Sequence, residues 1–337
     1  MRVIRLPNPS RIPWFAFYII FTLLQQATAE RELKFVAVVF RHGDRTPIVN
    51  FPTDLHKESE WPQGFGQLTQ TGMQQLYELG QYVRKRYSNF LNSTYNRKEF
   101  YIQSTDYDRT IMSAQSYLSG LFPPTSSQIW NPELLWQPIP VHIVPKATDR
   151  GIHNYSLPVW ATKDVVDKME KLAELSLSSL FGVYKTEEKS RLQGGVLVNI
   201  ILNSFKQAAN SSKERKMEVY SAHDTTIGAL QIALNIFNGK LPPYAACQFF
   251  ELYQESSGQY SIEMHYRNDS SKDPYLLTLP GCTSSCPLEK FSELVSPIIT
   301  ESWSKECGNK DKTKGSVTAL YFLCKIYQGR RNNYQDI

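Results

Sequence analysis

The spacing of apolar residues changes several times along the chain, and each change marks an element. Phe35 to Phe40 is an unbroken apolar run. It is long enough for one buried strand and too short for a stable helix. Ile48 to Gly66 reads as loop, and Thr69 fits the N-cap of a helix. In that helix Met73, Leu76, Gly80, Val83, Tyr87 and Phe90 recur every three or four residues. Such spacing places them on one face, with Glu78, Arg84 and Lys85 largely off it. Phe100 to Ile102 predicts a second strand. Ser104, Thr105 and Asp106 then offer cap residues for a helix whose apolar face is Ile111, Ala114, Leu118 and Leu121.

Pro123 to Pro158 lacks a period and reads as connecting structure. Helical spacing resumes over Thr162 to Phe181, through Val165, Met169, Leu172 and Ala173. It returns through Leu192, Val196, Ile200, Ile201, Phe205 and Ala208. Gly194 and Gly195 fall inside that last pattern, where each glycine costs about 1 kcal/mol; close packing against a neighbour is the expected reason. Met217 to Tyr220 predicts a strand, and Ile227, Leu230, Ile232 and Leu234 the helix after it. Cys247 to Tyr253 and Gln259 to Tyr266 read as a hairpin turning at Ser257-Gly258.

Two predicted strands end in polar clusters. The first stops at Arg41-His42-Gly43-Asp44-Arg45, the other at Ser221-Ala222-His223-Asp224. In open α/β sheets, ligands bind beyond the carboxyl ends of strands. Arginine suits bidentate recognition of phosphate or carboxylate, and glycine lets the backbone turn or approach a ligand closely. Either cluster alone is equally compatible with a solvated strand end. Arg109 falls in the first turn of its helix, where a cation opposes the helix dipole unless an anion lies nearby. It is a candidate phosphate ligand, or the partner of Asp106 or Asp108.

Composition narrows the setting. Hydrophobic residues make up 41% and charged residues 20%, which is ordinary for a globular protein. Net charge is +5, but the first 29 residues carry Arg2, Arg5 and Arg11 and no acid. No domain-wide basic surface is indicated, so nucleic acid is not an expected partner. The three arginines precede an apolar stretch from Trp14 to Leu24 and the small residues Ala27-Thr28-Ala29. This reads as a secretory signal peptide over 1–29; the stretch is too short for a bilayer, which takes about 20 residues. Asn92, Asn154, Asn210 and Asn268 each begin a glycosylation tripeptide. All five cysteines follow residue 246, without a double CxxC zinc pattern. Cys282 and Cys286 flank a short loop suited to a local disulfide in an oxidising compartment. Val317 to Tyr327 is apolar but short and carries Lys325, and Tyr334 to Ile337 weakly resembles a tyrosine-based sorting signal.

Arg41-His42-Gly43-Asp44-Arg45-Thr46-Pro47 together with His223-Asp224 resembles the signature pair of the histidine acid phosphatases. Trp61 to Thr69, Ser104 to Thr110, Ser190 to Gly195 and Pro280 to Leu288 carry the resemblance further, from Glu30 to about Cys307. It implies an α/β fold, a mostly parallel central sheet flanked by helices on both faces, with a helical cap. It implies one domain over 30–309 and a tail over 310–337. The implied activity is hydrolysis of orthophosphoric monoesters through a phosphohistidine, without metal or cofactor. His42 is the implied nucleophile and Asp224 the implied proton donor. Arg41, Arg45, Arg109 and His223 are implied phosphate ligands. Substrates are expected to be small phosphomonoesters or phosphorylated peptides, and a homodimer is a candidate assembly. The expected location is the secretory pathway, either secreted or in the lysosomal lumen.

The chain departs from the family between Pro145 and His153, where relatives carry a long insertion forming much of the cap. Two cysteines of that insertion pair, in the family, with the positions of Cys247 and Cys307. Here those partners are missing, so Cys247 and Cys307 are expected to be free or paired with each other. Gln103 stands where an arginine is expected. The shortened cap keeps two alternatives open: a catalytically weak secreted glycoprotein, or a phosphatase for inositol phosphates.

Overall fold

The computed structural model describes residues 31–48, 54, 56–144, 163–210, 214–300 and 306. The signal segment, Asn154, the shortened cap near 146–153, Cys307, Cys324 and the tail lie outside the described residues. No described helix is long and apolar enough to cross a membrane.

Eight strands form one sheet. They are β1 (Glu32–Arg41), β2 (Phe100–Thr105), β3 (His142–Val144) and β4 (Met217–Ala222), then β5 (Cys247–Gln254), β6 (Tyr260–Arg267), β7 (Tyr275–Leu277) and β8 (Cys286–Pro287). Their order is β3-β2-β4-β1-β5-β6-β7, with β8 also paired to β6. The first four run parallel to one another. The β5–β6 hairpin adds antiparallel strands beside β1. The edge strand β3 lies within the stretch that reads as connecting structure. Three residues are too few to show a period.

Helices α1 (Gln70–Arg86), α2 (Asp108–Leu121), α3 (Lys163–Phe181), α4 (Thr186–Leu192), α5 (Gly194–Asn210), α6 (Asp224–Ala233) and α7 (Leu288–Val295) complete the described regular structure, apart from short single turns. The unbroken apolar run of β1 follows from its place in the sheet. Phe35, Ala37 and Val39 pack with α5 and α6 through Val198, Ile201, Phe205, Ile227 and Leu230. Val36, Val38 and Phe40 face the other way, onto Leu76, Leu79 and Val83 of α1 and Ala114, Tyr117 and Leu121 of α2. A strand covered on both faces needs no polar side. Each such valine or phenylalanine withdrawn from water contributes about 1.5–3 kcal/mol.

Two helix boundaries differ from the sequence reading. Ser104 and Thr105 finish β2, and α2 starts after Tyr107, which caps it without a side-chain hydrogen bond. The pattern from Leu192 onward is two helices, broken at Gln193, so Gly194 and Gly195 open α5 instead of interrupting it. Both glycines do meet neighbours. A Cβ on Gly194 would lie 2.1 Å from the Ala229 carbonyl oxygen, and one on Gly195 2.0 Å from that of Ile298. Thr69 caps α1 by accepting from the Gly72 amide at 3.0 Å. Cys282 and Cys286 form a disulfide, and Cys247 is a buried free thiol.

Behind the β5–β6 hairpin lies a buried polar group with no counterpart in the sequence reading. The Glu251 carboxylate accepts from Arg86 Nε at 3.0 Å, from Tyr87 at 2.5 Å and from Tyr253 at 2.8 Å. Glu251, Glu263 and His265 come close enough to hold a metal ion. Glu251 is already engaged by these three donors, and Glu263 pairs with Arg31.

Candidate active site

The register of β1 against β4 builds the site. Arg41 pairs with Ala222, so both strands end on the same line. The His42 amide donates to the Ala222 carbonyl at 2.9 Å. The next residue of each chain segment is therefore a histidine at one sheet edge. The His42 and His223 rings stand 5.5 Å apart, nearly edge to face, and both residues are buried at 3% exposure.

The loop after β1 is pinned by the start of α1. The Asp44 amide donates to Gln75 Oε1 at 2.8 Å, and the Thr69 hydroxyl donates to Asp44 Oδ2 at 2.6 Å. The Gly43 amide donates to Ser113 Oγ of α2 at 3.1 Å. The close approach that Gly43 permits is to another backbone. A Cβ there would lie 2.3 Å from the Gly72 carbonyl oxygen.

His42 Nδ1 lies 2.8 Å from the Gly43 carbonyl oxygen. That oxygen can only accept, so Nδ1 carries the proton and the neutral ring keeps its lone pair on Nε2. Burial, followed by the charges of Arg41 and His223, holds the imidazole well below its ordinary pKa. The ring thus stays neutral in acid that would protonate an exposed histidine.

Arginines surround it. Arg41 donates to the Pro242 carbonyl at 2.6 Å and pairs with Asp224 Oδ2 at 2.8 Å. Its guanidinium lies 4.1 Å from the Tyr244 ring centre. Arg45 is buried and donates to the Thr46 carbonyl at 2.9 Å. Burial and the charge of Arg41 draw it below the usual arginine value, while Tyr244 and Asp224 pull the other way. The Nε groups of Arg41 and Arg45 are buried without a protein acceptor among the described residues. Such a set suits an anionic guest. Arg109, also buried, lies over the Tyr107 ring at 4.5 Å, and its charge reaches His42.

His223 occupies the N-cap position of α6. Its Nε2 lies 3.0 Å from Thr105 Oγ1, and the Tyr107 ring meets it edge-on at 5.2 Å. Asp224 opens the helix. Its Oδ1 accepts from the Thr225 amide at 2.7 Å, and 15% of its side chain stays exposed. The helix N-terminus adds a partial positive charge here.

The structure therefore groups His42, His223, Arg41, Arg45, Arg109 and Asp224 around one sheet edge. Cys282 and Cys286 lie elsewhere, Cys286 in β8 against β6 and Cys282 in the turn before it. Asn92, Asn210 and Asn268 are exposed. Tyr244 and Ser113 are absent from the sequence reading, and Thr105 and Tyr107 enter it only as a helix-cap candidate and within the Ser104 to Thr110 match, not as site residues. Of these only Tyr244 carries a local signal, the preceding Pro242-Pro243, which stiffens the loop that holds it.

Comparison with known proteins places this arrangement. The family model of the histidine phosphatase superfamily (branch 2) matches residues 32–157 and 155–267. Human prostatic acid phosphatase is 47% identical over 363 residues, covering 89% of this chain and 94% of that protein. An alignment of that length against so much of a 337-residue chain requires residues in the relative that this chain lacks. Lysosomal acid phosphatase of Xenopus laevis is 45% identical over 341 residues, covering 82% of this chain and 79% of that protein. Among solved structures, the phytase of Citrobacter braakii has a TM-score of 0.56 at 16% identity, covering 80% of this chain and 98% of that chain; this likeness establishes a shared fold. With the paired histidines at the parallel strand ends and these relatives along most of its length, the chain belongs to the histidine phosphatase superfamily, branch 2.

Proposed function

We propose that this chain is an acid phosphatase that hydrolyses phosphoric monoesters through a phosphohistidine intermediate. The observation that carries the reading is the bond between His42 Nδ1 and the Gly43 carbonyl, in an imidazole kept neutral by burial and by neighbouring cations. It leaves Nε2 as a nucleophile that works in acid.

Arg41, Arg45, Arg109 and His223 bind the phosphoryl oxygens and stabilise the charge that spreads over them in transit. The bound phosphoryl oxygens take over the Arg41 guanidinium, and Asp224 is protonated from the acid medium. Nε2 then attacks phosphorus, the ester P–O bond breaks, and Asp224 gives that proton to the departing oxygen. Water then attacks the phosphohistidine and yields its proton to the Asp224 carboxylate. The N–P bond breaks, and inorganic phosphate leaves with both groups restored. The ion pair between Arg41 and Asp224 holds the carboxyl group beside the phosphoryl site. Location in the secretory pathway, either secreted or in the lysosomal lumen, accords with the relatives and with the Cys282–Cys286 disulfide.

Hydrolysis of an aryl phosphate at acid pH, compared with His42→Ala, tests the proposal. The wild type should turn over at least about 10³-fold faster and should retain a phosphoryl group on His42 when quenched. Equal, slow hydrolysis by the two proteins would reject it. A faster rate on a highly phosphorylated inositol than on the aryl ester would instead favour an inositol-phosphate substrate.

A further inference from the structure

A second cationic site lies on the α1 side of the sheet, where the C-terminal half of α1 faces the end of β6. It is a pocket of about 520 Å³, lined by Lys85, Arg86, Arg267 and Lys272, with Tyr82 on its wall and Asp273 as its one carboxylate. Arg41, His42 and Asp224 are not part of it.

Arg267 is the informative residue. It is 7% exposed. Its guanidinium lies 4.7 Å from the Tyr82 ring centre and donates to the Ser270 carbonyl at 2.6 Å. Its Nε is buried without a hydrogen-bond acceptor among the described residues. No carboxylate among those residues pairs with it, whereas Arg86 pairs with Glu251 at 2.8 Å and Lys272 with Asp269 at 2.7 Å. A buried cation is normally paired. A ring face and one carbonyl offset only part of that cost. Lys85, exposed at the pocket rim, has no ion pair among the described residues either. Its place at the C-terminus of α1 is favourable to a cation and does not call for an anion. The cations of the pocket without an ion pair are thus Arg267 and Lys85, against the single carboxylate of Asp273, which leaves a net positive charge.

We propose that this pocket binds a phosphate or sulfate group, at a site separate from the one that performs catalysis. The pocket draws its cations from three segments, Lys85 and Arg86 on α1, Arg267 at the end of β6 and Lys272 in the loop after it, and guanidinium groups suit bidentate recognition of such an oxyanion. The volume is in the range of ligand pockets and exceeds one ion, so the group can be a free ion or can be carried on a larger molecule.

The test is calorimetric titration of the full chain with sodium sulfate at acid pH. Two binding events are expected in the wild type. Arg267→Gln should weaken one of them at least about tenfold and leave aryl phosphate hydrolysis unchanged, which also shows that the variant folds. Lys85→Gln, an exposed change, should weaken the same event about two- to fivefold. Arg45→Gln should affect only the other event; if the reading of the catalytic site is wrong, that variant keeps both while Arg267→Gln still removes one. Glucose 6-sulfate binding more tightly than sulfate identifies a carried group as the ligand; weaker or equal binding identifies the free ion. A single event that Arg45→Gln removes and Arg267→Gln leaves, or a set of events that all survive both Arg267→Gln and Lys85→Gln, overturns the proposal; a single event removed by Arg267→Gln alone supports it and counts against the catalytic-site reading. Should Arg267→Gln fail to fold, unchanged affinity in Lys85→Gln is enough to reject it.

Discussion

Replacing Gly43 by alanine tests how the signature loop is held. The added Cβ would lie 2.3 Å from the Gly72 carbonyl oxygen, 2.6 Å from Gly72 Cα and 2.7 Å from its carbonyl carbon. All three are backbone atoms, so no side-chain rotation relieves the clash. The loop and the start of α1 must separate by about 1 Å to restore an ordinary contact. That movement acts on the carbonyl that accepts the hydrogen bond of His42 Nδ1 and on the amide that donates to Ser113 Oγ. Displacement of about 1 Å at a reacting group costs on the order of 10²-fold in rate. Overpacking of this kind costs about 1–3 kcal/mol of stability. The assay is steady-state hydrolysis of an aryl phosphate by Gly43→Ala at acid pH, beside urea denaturation to confirm folding. We expect kcat to fall about a hundredfold while the variant remains folded. A folded variant within about threefold of the wild-type kcat would refute the argument that this backbone contact sets the position of His42.

Other outcomes follow from particular groups. His42 has a depressed pKa in the folded chain, so below about 6.5 the unfolded chain holds one more proton, and stability falls as pH drops towards the folded value. Urea midpoints measured against pH should therefore decline less steeply for His42→Asn than for the wild type; parallel curves would contradict this. Glu251 is held below the usual carboxylate range although burial pushes it up, because Arg86 and the Tyr87 hydroxyl outweigh burial. Glu251→Gln leaves Arg86 without its charge partner and should cost about 3 kcal/mol in denaturation at neutral pH; a loss under about 1 kcal/mol would show that the network contributes little. The Cys282–Cys286 bridge closes a loop with a sequence separation of 4, and its removal in a Cys282→Ser/Cys286→Ser double variant should cost only about 2 kcal/mol, with aryl phosphate hydrolysis retained.

The sequence alone was enough for the strands and helices whose burial is one-sided or complete. β1 announced itself because six apolar residues in a row fit only an element covered on both faces. α1 did so because its apolar face and its Thr69 cap agree. Site residue types were also legible, since Arg41, His42, Arg45, His223 and Asp224 all cluster at or just beyond the end of an apolar strand. The edge strand β3 was not, because it forms only by pairing with the distant β2; the start of α2 and the break at Gln193 were not, because neither leaves a local period.

Tertiary structure decided what those residues can do. That β4 lies beside β1, with Ala222 level with Arg41, is a matter of sheet order, which pairwise spacing in a chain does not encode. The tautomer of His42 is set by one carbonyl, and its neutrality by exclusion of water and by cations drawn from three segments. Gly43 is legible as a glycine, but its reason, the backbone of Gly72 against it, exists only once α1 is packed. Residue identity fixes which charges are available; only the fold sets their distances and the dielectric between them, and the energy of each interaction depends on both.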